Sequence, residues 1–292
     1  MEFDAVSQFV SHSDRVKSVD IHSEKPLLLT ALHTGTIQIW NYETKTLIKA
    51  LEICEKSVRC AKFIPRKNWI VTGSDDKQIR VFDSESFELI HSFESHSDFI
   101  RSFAVHPTLP YLISASDDKT IKIWDWENEW RLEQTMIGHD HYVMQIAINP
   151  YDPNVIISAS LDKTLKIWKL GEEKEIASLE GHLKAVNCVA FLDKKRIITG
   201  SDDQSIRIWN YETRECIETL QGAHQNNVTF MATFNDCFIS GSEDGFIKIW
   251  NSKSYRLGKE LNYSMGRVWC VCVMEPDLVS VGFDNGSMTF KI

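Results

Sequence analysis

An aromatic residue recurs seven times along this chain at a nearly constant interval. It lies within the short apolar stretches IQIWN, IRVFD, IKIWD, LKIWK, IRIWN, IKIWN and MTFKI, at positions 40, 82, 124, 168, 209, 250 and 290. The intervals of 42, 42, 44, 41, 41 and 40 residues match the length of one four-stranded blade of a β-propeller. The seven copies cover nearly the whole chain, and they predict an all-β, seven-bladed β-propeller.

Within each copy, alternating apolar and polar residues predict four short strands. In the third copy these segments are FIRSFAV, YLISAS, TIKIWDW and RLEQTMI, with turn signals such as DDK between them. The last copy ends directly after its third predicted strand, whereas the first ten residues, MEFDAVSQFV, alternate like a strand. We therefore predict that the N-terminal strand joins the last blade and closes the ring, which makes residues 1–292 a single domain.

Three types of polar residue recur at fixed positions relative to the aromatic residue. A hydroxyl residue stands ten positions before it in every copy, at Thr30, Thr72, Ser114, Ser158, Thr199, Ser240 and Ser280. An aspartate stands six positions before it in six copies, at Asp76, Asp118, Asp162, Asp203, Asp244 and Asp284, and Thr34 replaces it in the first. A histidine opens five copies, at His12, His96, His139, His182 and His224.

This pattern resembles the WD-repeat family. The resemblance implies a buried hydrogen-bond chain in each complete copy, which in the third copy joins His96, Ser114, Asp118 and Trp124. Linked in this way, the buried polar groups satisfy one another and avoid the cost of burial without a partner. The recurring histidines and aspartates therefore receive a structural role, and no G-x-S-x-G, H-E-x-x-H or phosphate-loop motif is present. We expect a protein that is not an enzyme.

Composition limits the classes of partner. The formal net charge of −9 argues against a general phosphate-binding surface, and no apolar run approaches the roughly 20 residues of a membrane span. The odd number of cysteines, seven, with no signal peptide at the start, indicates a reducing cytosolic compartment. The close pair Cys270 and Cys272 is more typical of a core strand than of a zinc site. We expect no metal, no cofactor and no nucleic-acid partner.

The WD-repeat resemblance implies that the loops before the first strand and between the second and third strands lie at one face, and aligned positions there carry charges that differ from blade to blade. One position in the first strand holds Lys17, Arg59, Arg101, Met144, Asn187, Thr229 and Trp269. A position at the next turn holds His33, Asp75, Asp117, Leu161, Asp202, Glu243 and Phe283. A cationic patch beside an acidic patch favours a short peptide of both charges. We expect Arg15 and Lys17 to hold a terminal carboxylate, and Asp98, Asp117 and Asp202 to receive lysines.

Longer stretches are similar to the first propeller of the coatomer family. They include SDRVKSVD, RKNWIVTGSDDKQIRVF, HSDFIRSFAVHPTLPYLISASDD, IKIWDWENEW and SGSEDGFIKIWNS. RKNW and WDWENEW favour the beta-prime branch of that family over the alpha branch. The resemblance implies a cargo-recognition domain of the COPI vesicle coat, within a longer subunit that also carries a second propeller and a helical solenoid. It also implies a cytoplasmic location, peripheral on Golgi membranes and coated vesicles, with other coatomer subunits, especially alpha, as partners.

The same resemblance implies a ligand, the C-terminal dilysine signal KKxx or KxKxx on the cytosolic tails of membrane proteins that return from the Golgi to the ER. It assigns the terminal carboxylate to a group that comprises Arg15, Lys17, Arg59 and His33, where family members often have tyrosine at the position of His33. It assigns the lysines to a second group, Asp98, Asp117 and Asp202, with Arg101 and Tyr142 among them. We therefore expect Asp117→Ala to weaken peptide binding and keep the fold, and Asp118→Ala to destabilise the third blade.

Other functions predict different surfaces. A generic WD-repeat scaffold for another complex would have an apolar or uniformly charged face. A nucleic-acid ligand would be repelled by the acidic side chains beside the cations.

Overall fold

The computed structural model describes residues 9–274 and 277–291. Twenty-eight strands form seven four-stranded antiparallel sheets, and the only helical elements among the described residues are two single 3₁₀ turns, Pro65–Lys67 and Trp126–Asn128. The predicted all-β class and seven-bladed propeller fold are confirmed. The chain divides into two compact units, residues 1–95 with 232–292, and residues 96–231.

The first unit holds blades one, two and seven. Blade one is β2 (Val16–Ile21), β3 (Leu27–Leu32), β4 (Thr36–Asn41) and β5 (Thr46–Glu52). Blade two is β6 (Val58–Ile64), β7 (Trp69–Ser74), β8 (Gln78–Asp83) and β9 (Leu89–Glu94). Blade seven is β26 (Val268–Met274), β27 (Leu278–Phe283), β28 (Gly286–Lys291) and the N-terminal strand β1 (Phe9–His12).

The second unit holds blades three, four and five. Blade three is β10 (Ile100–Val105), β11 (Tyr111–Ser116), β12 (Thr120–Asp125) and β13 (Arg131–Ile137). Blade four is β14 (Val143–Ile148), β15 (Val155–Ser160), β16 (Leu165–Lys169) and β17 (Ala177–Leu179). Blade five is β18 (Val186–Phe191), β19 (Arg196–Ser201), β20 (Ile206–Asn210) and β21 (Glu215–Leu220).

Blade six spans the sequence boundary between the two units. Its sheet consists of β22 (Val228–Phe234), β23 (Cys237–Ser242), β24 (Phe246–Asn251) and β25 (Leu257–Asn262).

The N-terminal strand joins the last blade, as predicted. β1 pairs antiparallel with β28, from Phe9 opposite Thr289 to His12 opposite Gly286. Residues 1–8 of the predicted strand lie outside the described residues. Within the first unit, β2 of blade one packs against β26 and β27 of blade seven. The added strand covers the edge of β28 that would otherwise be open.

The core is built from the apolar faces of consecutive blades. One cluster of buried residues joins blades one and two, a second joins blades three and four, and a third joins blades four and five. The second strands are buried at nearly every position, because they lie mid-sheet and pack against a neighbouring blade of the same unit. Cys270 is buried in β26 as a free thiol, and the adjacent Cys272 is half-buried.

A buried hydrogen-bond chain spans each blade of the second unit. In blade three, Trp124 Nε1 donates to Ser114 Oγ at 2.9 Å, and this hydroxyl lies 2.7 Å from His96 Nε2. His96 Nδ1 lies 2.8 Å from Asp118 Oδ2. This order of donors fits a neutral imidazole that accepts from the serine and donates to the carboxylate.

The same chain occurs in blades four and five. It joins His139, Ser158, Asp162 and Trp168 in the former, and His182, Thr199, Asp203 and Trp209 in the latter.

The chain of blade three also shifts the pKa values of its members. Burial opposes ionisation of Asp118, but hydrogen bonds from His96 and Thr120 outweigh it and hold the pKa of this carboxyl well below its usual range. Burial lowers the pKa of His96 in spite of its bond to Asp118, so the histidine stays neutral.

Blades one and two lack this chain. His12 opens the first copy in sequence but is exposed, and Trp40 Nε1 donates to Gln38 instead of to the recurring hydroxyl. Thr30 and Thr72 occupy the hydroxyl position of these blades, and their buried Oγ1 atoms have no hydrogen-bond partner. The sequence-based assignment of His12 to an internal frame is therefore wrong, because Thr34 replaces the aspartate that would hold it.

We expect Asp118→Ala to lower the free energy of unfolding by about 1–3 kcal/mol. The substitution removes the acceptor for His96 Nδ1, for the Ser97 and Thr120 amides and for the Thr120 hydroxyl. Urea titration monitored by tryptophan fluorescence measures the loss, and Asp140→Ala, at an exposed aspartate of the same unit, is the matched control. Equal stability of the two variants would contradict the structural role of the chain.

Buried histidines make stability depend on pH. Burial lowers the pKa of His22, His96 and His182 below 6.5, so the folded state binds fewer protons than the unfolded chain. The stability that this contributes is complete above about pH 6.5 and is lost as the pH falls toward the lowered folded-state values. We expect the free energy of unfolding to fall by about 1–3 kcal/mol between pH 7.5 and pH 5.5 in urea titrations. His12→Gln, at an exposed histidine, should keep this slope, and a flat profile would contradict the prediction.

Candidate functional site

The first strand of six blades contains a β-bulge at the same position. The pairing register skips one residue, for example from Val16 to Ser18 in blade one. The skipped residues are Lys17, Arg59, Arg101, Met144, Asn187 and Trp269. A bulge bends the strand and redirects the side chain of the extra residue, and it recurs next to functional sites. The aligned position that carries charged residues in several copies is therefore the extra residue of a β-bulge in the structure.

The next turn of the same blade lies opposite this bulge. His33, Asp75 and Asp117 each donate a backbone N–H to the carbonyl two residues before the bulge, at 2.9 Å. Asp202 does the same at 3.0 Å. This geometry places the side chains of the bulge residue and the turn residue beside each other in one blade.

In three blades the bulge residue and the turn residue are hydrogen-bonded partners. Arg59 forms a bidentate ion pair with Asp75. Arg101 forms one with Asp117, with N–O distances of 2.6 and 2.5 Å. Asn187 Nδ2 donates to Asp202 Oδ1 at 2.7 Å. Blade one differs, because its bulge residue Lys17 is matched with His33 in place of an aspartate.

Asp284 links blades seven and one. Its Oδ1 accepts from Arg15 Nε and from Trp269 Nε1, both at 2.8 Å. Its Oδ2 accepts from the Arg267 amide at 3.0 Å and from Arg267 Nε at 3.2 Å. Burial raises the pKa of this carboxyl, but the donors from Trp269 and Arg267 outweigh it and bring the pKa to about 2. Asp284 is therefore ionised and fixes the orientation of three neighbouring side chains.

Three cations surround the indole ring of Trp269. Lys17 Nζ lies 3.4 Å from the ring centroid, and the guanidinium carbons of Arg15 and Arg267 lie 5.2 and 5.0 Å from it. The ring quadrupole attracts cations at these distances. Arg59, the bulge residue of blade two, lies with Arg15 and Lys17 near His33. We call Arg15, Lys17, Arg59 and Arg267 the cation cluster.

His33 lies at the border of the cation cluster between blades one and two. It is exposed, and its Nδ1 is 3.2 Å from Ser57 Oγ. All four residues that the sequence assigned to the carboxylate, Arg15, Lys17, Arg59 and His33, thus belong to the first unit and lie near one another.

The residues that the sequence assigned to lysines belong to the second unit. Arg101, paired with Asp117, has its guanidinium carbon 5.9 Å from the ring centroid of Tyr142. Asp98 is half-buried, and its Oδ1 accepts from the Phe99 amide at 2.8 Å. Among the described residues, no hydrogen bond or ion pair joins Asp202 to this set, and its partner is Asn187. We call Asp98, Asp117 and Asp202 the acid group.

The structure changes the expectation for Asp117. The sequence placed it at an open face without a structural role, but it is only 4% exposed and both of its oxygens are bound by Arg101. Asp98 is the more accessible carboxylate of the same blade.

The sequence places Trp269 and Arg267 at the charged face but assigns them to neither ligand group, and it leaves Asp284 out of the face. Its position in the repeat, six residues before Phe290, predicts a structural role for Asp284. The available signal was the rest of that copy, which has Ser264 in place of the opening histidine and Phe290 in place of tryptophan. An aspartate that lacks its histidine partner can bind elsewhere.

Two further features are absent from the described residues. No three His, Cys, Asp or Glu side chains are grouped so that they could hold a metal ion. Within the same residues, no helix is long and apolar enough to cross a membrane.

Comparison with known families matches the repeats. The model described as "WD domain, G-beta repeat" matches residues 3–41, 45–83, 87–125, 130–169, 173–210 and 214–251. The chain belongs to the WD-repeat family. The six matches correspond to the first six copies, and the seventh, which has lost the histidine and the tryptophan, is shown by its sheet.

The chain is similar over its whole length to coatomer subunits beta'. It is 57% identical over 297 aligned positions to the human protein, 53% to the rat protein and 51% to the Drosophila melanogaster protein. The alignments cover 100% of this chain and 32–33% of those proteins, so the chain spans about a third of their length. The predicted resemblance to the beta-prime branch is confirmed.

We expect Asp117→Ala to destabilise the second unit, contrary to the expectation from sequence. Its loss leaves the Arg101 guanidinium without its bidentate partner in a largely buried place, at a cost of about 1–3 kcal/mol. Asp98→Ala, in the same blade, should cost about 0.5 kcal/mol or less, because its carboxylate makes one local hydrogen bond. Urea titration of the two variants measures the difference, and an unchanged stability of Asp117→Ala would show that the Arg101 pair is dispensable.

Proposed function

We propose that this chain is a non-enzymatic peptide-binding propeller of the COPI coat that recognises C-terminal dilysine signals on membrane cargo. It would act within a longer beta-prime coatomer subunit, together with other subunits, especially alpha, at the cytosolic surface of Golgi membranes and vesicles. Its cargo would be membrane proteins returning from the Golgi to the ER. The similarity to coatomer subunits beta' along the whole chain supports this role.

The cation cluster has the chemistry for a terminal carboxylate. Two of its members share Asp284, and Arg59 is paired with Asp75. Lys17 lies over the Trp269 ring at the bulge of blade one, where the matched turn residue is not an acid. Charge-assisted hydrogen bonds from an ammonium and a guanidinium group are the usual means of carboxylate capture.

The acid group has the complementary chemistry for lysine. In the second unit, Arg101 neutralises Asp117, whereas Asp202 accepts a hydrogen bond from the neutral Asn187. Asp98 is half-buried and keeps Oδ2 available beyond its one local hydrogen bond. Tyr142 adds an aromatic face beside Arg101, which suits the aliphatic part of a lysine side chain.

Blade one has a cation at the bulge but no aspartate at the matching turn, and this difference from blades two and three is the main support for the proposal. Blades two and three neutralise the bulge cation with an aspartate of the same blade, whereas blade one places His33 opposite Lys17. Arg15, beside it, shares its carboxylate with Arg267. Arg15, Lys17 and Arg267 are grouped around the Trp269 ring, so cationic donors suited to an anionic chain terminus lie together there.

We expect an acetylated peptide that ends in Lys-Lys-x-x to bind in isothermal titration calorimetry. Amidation of its C-terminus should weaken binding by about tenfold or more, because hydrogen bonds to a charged group contribute about 1.5–3 kcal/mol. Replacement of both lysines by alanine should also weaken it at least tenfold. Equal affinity for the free and amidated peptides would refute carboxylate recognition.

A variant of the protein tests the lysine end separately. We expect Asp98→Ala to weaken the dilysine peptide by about tenfold and to have little effect on the peptide that lacks the lysines. Lys195→Ala, at an exposed loop of the same unit, is the matched surface control and should bind as the unaltered protein does.

A further inference from the structure

A hydrogen bond fixes the backbone of His33, whereas its imidazole ring is exposed to solvent. Its amide donates to the Arg15 carbonyl at 2.9 Å, which fixes the residue opposite the bulge at Lys17. The side chain is exposed, and Nδ1 lies 3.2 Å from Ser57 Oγ. When the ring is protonated, Nδ1 can donate to this hydroxyl, and Nε2 then offers a second charged donor.

The charges around the ring are mostly positive. Lys17 acts on it from β2, Arg15 from the loop before β2, and Arg59 from β6, and the Asp75 carboxylate after β7 acts in the opposite direction. Partial burial lowers the pKa of His33, these three cations lower it further, and Asp75 raises it. Without a ligand, the ring is therefore neutral near pH 7.

A bound anion would reverse this balance. A carboxylate held by Lys17 and Arg15 offsets the cations that oppose protonation of the ring, and it gives a charged Nε2–H an acceptor.

We propose that His33 takes up a proton when a peptide carboxylate binds, so that this site binds its ligand more tightly as the pH falls. This inference rests on the proposed recognition of a terminal carboxylate and adds its regulation by pH. The blade-one histidine thus makes peptide capture sensitive to pH within the physiological range, whereas an aspartate or tyrosine at the same turn would not titrate there.

The direction of the effect follows from linkage. A ligand that raises the affinity of a group for protons binds more tightly when that group is protonated. Affinity should therefore rise as the pH falls below the value at which the complex binds the proton, and level off once the free protein is also protonated. We expect a gain of about 3- to 10-fold between pH 8 and pH 5.5.

The test is calorimetry of the unaltered protein with the acetylated dilysine peptide between pH 5.5 and pH 8. Acetylation removes the peptide amine, and the terminal carboxyl and the lysines keep their charge over this range. Repeating the titration at pH 6.5 in buffers of different ionisation enthalpy gives the number of protons taken up. We expect a fractional uptake by the unaltered protein and an uptake close to zero for His33→Gln, with affinity that no longer varies with pH. His91→Gln, at a histidine on the outer strand β9, is the matched control and should keep both effects.

The possible outcomes separate this inference from the proposed function. If the free-carboxylate peptide binds, but with the same pH profile and proton uptake in His33→Gln as in the unaltered protein, the role of His33 is refuted and peptide recognition stands. If the peptide does not bind at any pH, the proposed function fails, and the inference fails with it.

Discussion

The structure depends on one constraint: a buried histidine, hydroxyl, indole and aspartate must form hydrogen bonds with one another. In blades three to five the chain from tryptophan through serine or threonine to histidine and aspartate is complete. Each member would be costly to bury alone, so the blade is specified as a unit. The neighbouring residue on the turn, such as Asp117 beside Asp118, is then left to form contacts of a different kind.

The blades that lack the complete chain are the ones that build the cation cluster. In blade two, Asp76 binds Arg80 and Ser74, and in blade seven, Asp284 binds Arg15, Arg267 and Trp269. In blade seven, the absence of the internal histidine leaves Asp284 to bind Arg15 and Arg267, close to the β-bulges at Lys17 and Trp269. The same bulge and turn in blade one contain Lys17 and His33, and Arg15 and Arg59 lie near that histidine.

The sequence was sufficient to predict the fold, because the aromatic spacing and the alternating segments are properties of each blade alone. It also nominated Arg15, Lys17 and Arg59 and found the exceptional His33, since alignment of the copies shows which position departs from the rest. It could not show that Asp117 forms an ion pair with Arg101, because that pair depends on a β-bulge and a turn that come together only in the folded structure. It assigned Asp284 to the internal chain for the same reason, since its actual partners lie on other strands.

A double-mutant cycle tests most directly whether the cation cluster recognises a chain terminus. The cycle combines Lys17→Ala with amidation of the dilysine peptide, and the dissociation constants of the four combinations are measured. Direct contact predicts that amidation weakens binding about tenfold in the unaltered protein and much less in Lys17→Ala, because the variant has already lost the interaction. The same fold-change on amidation in both proteins would contradict the account.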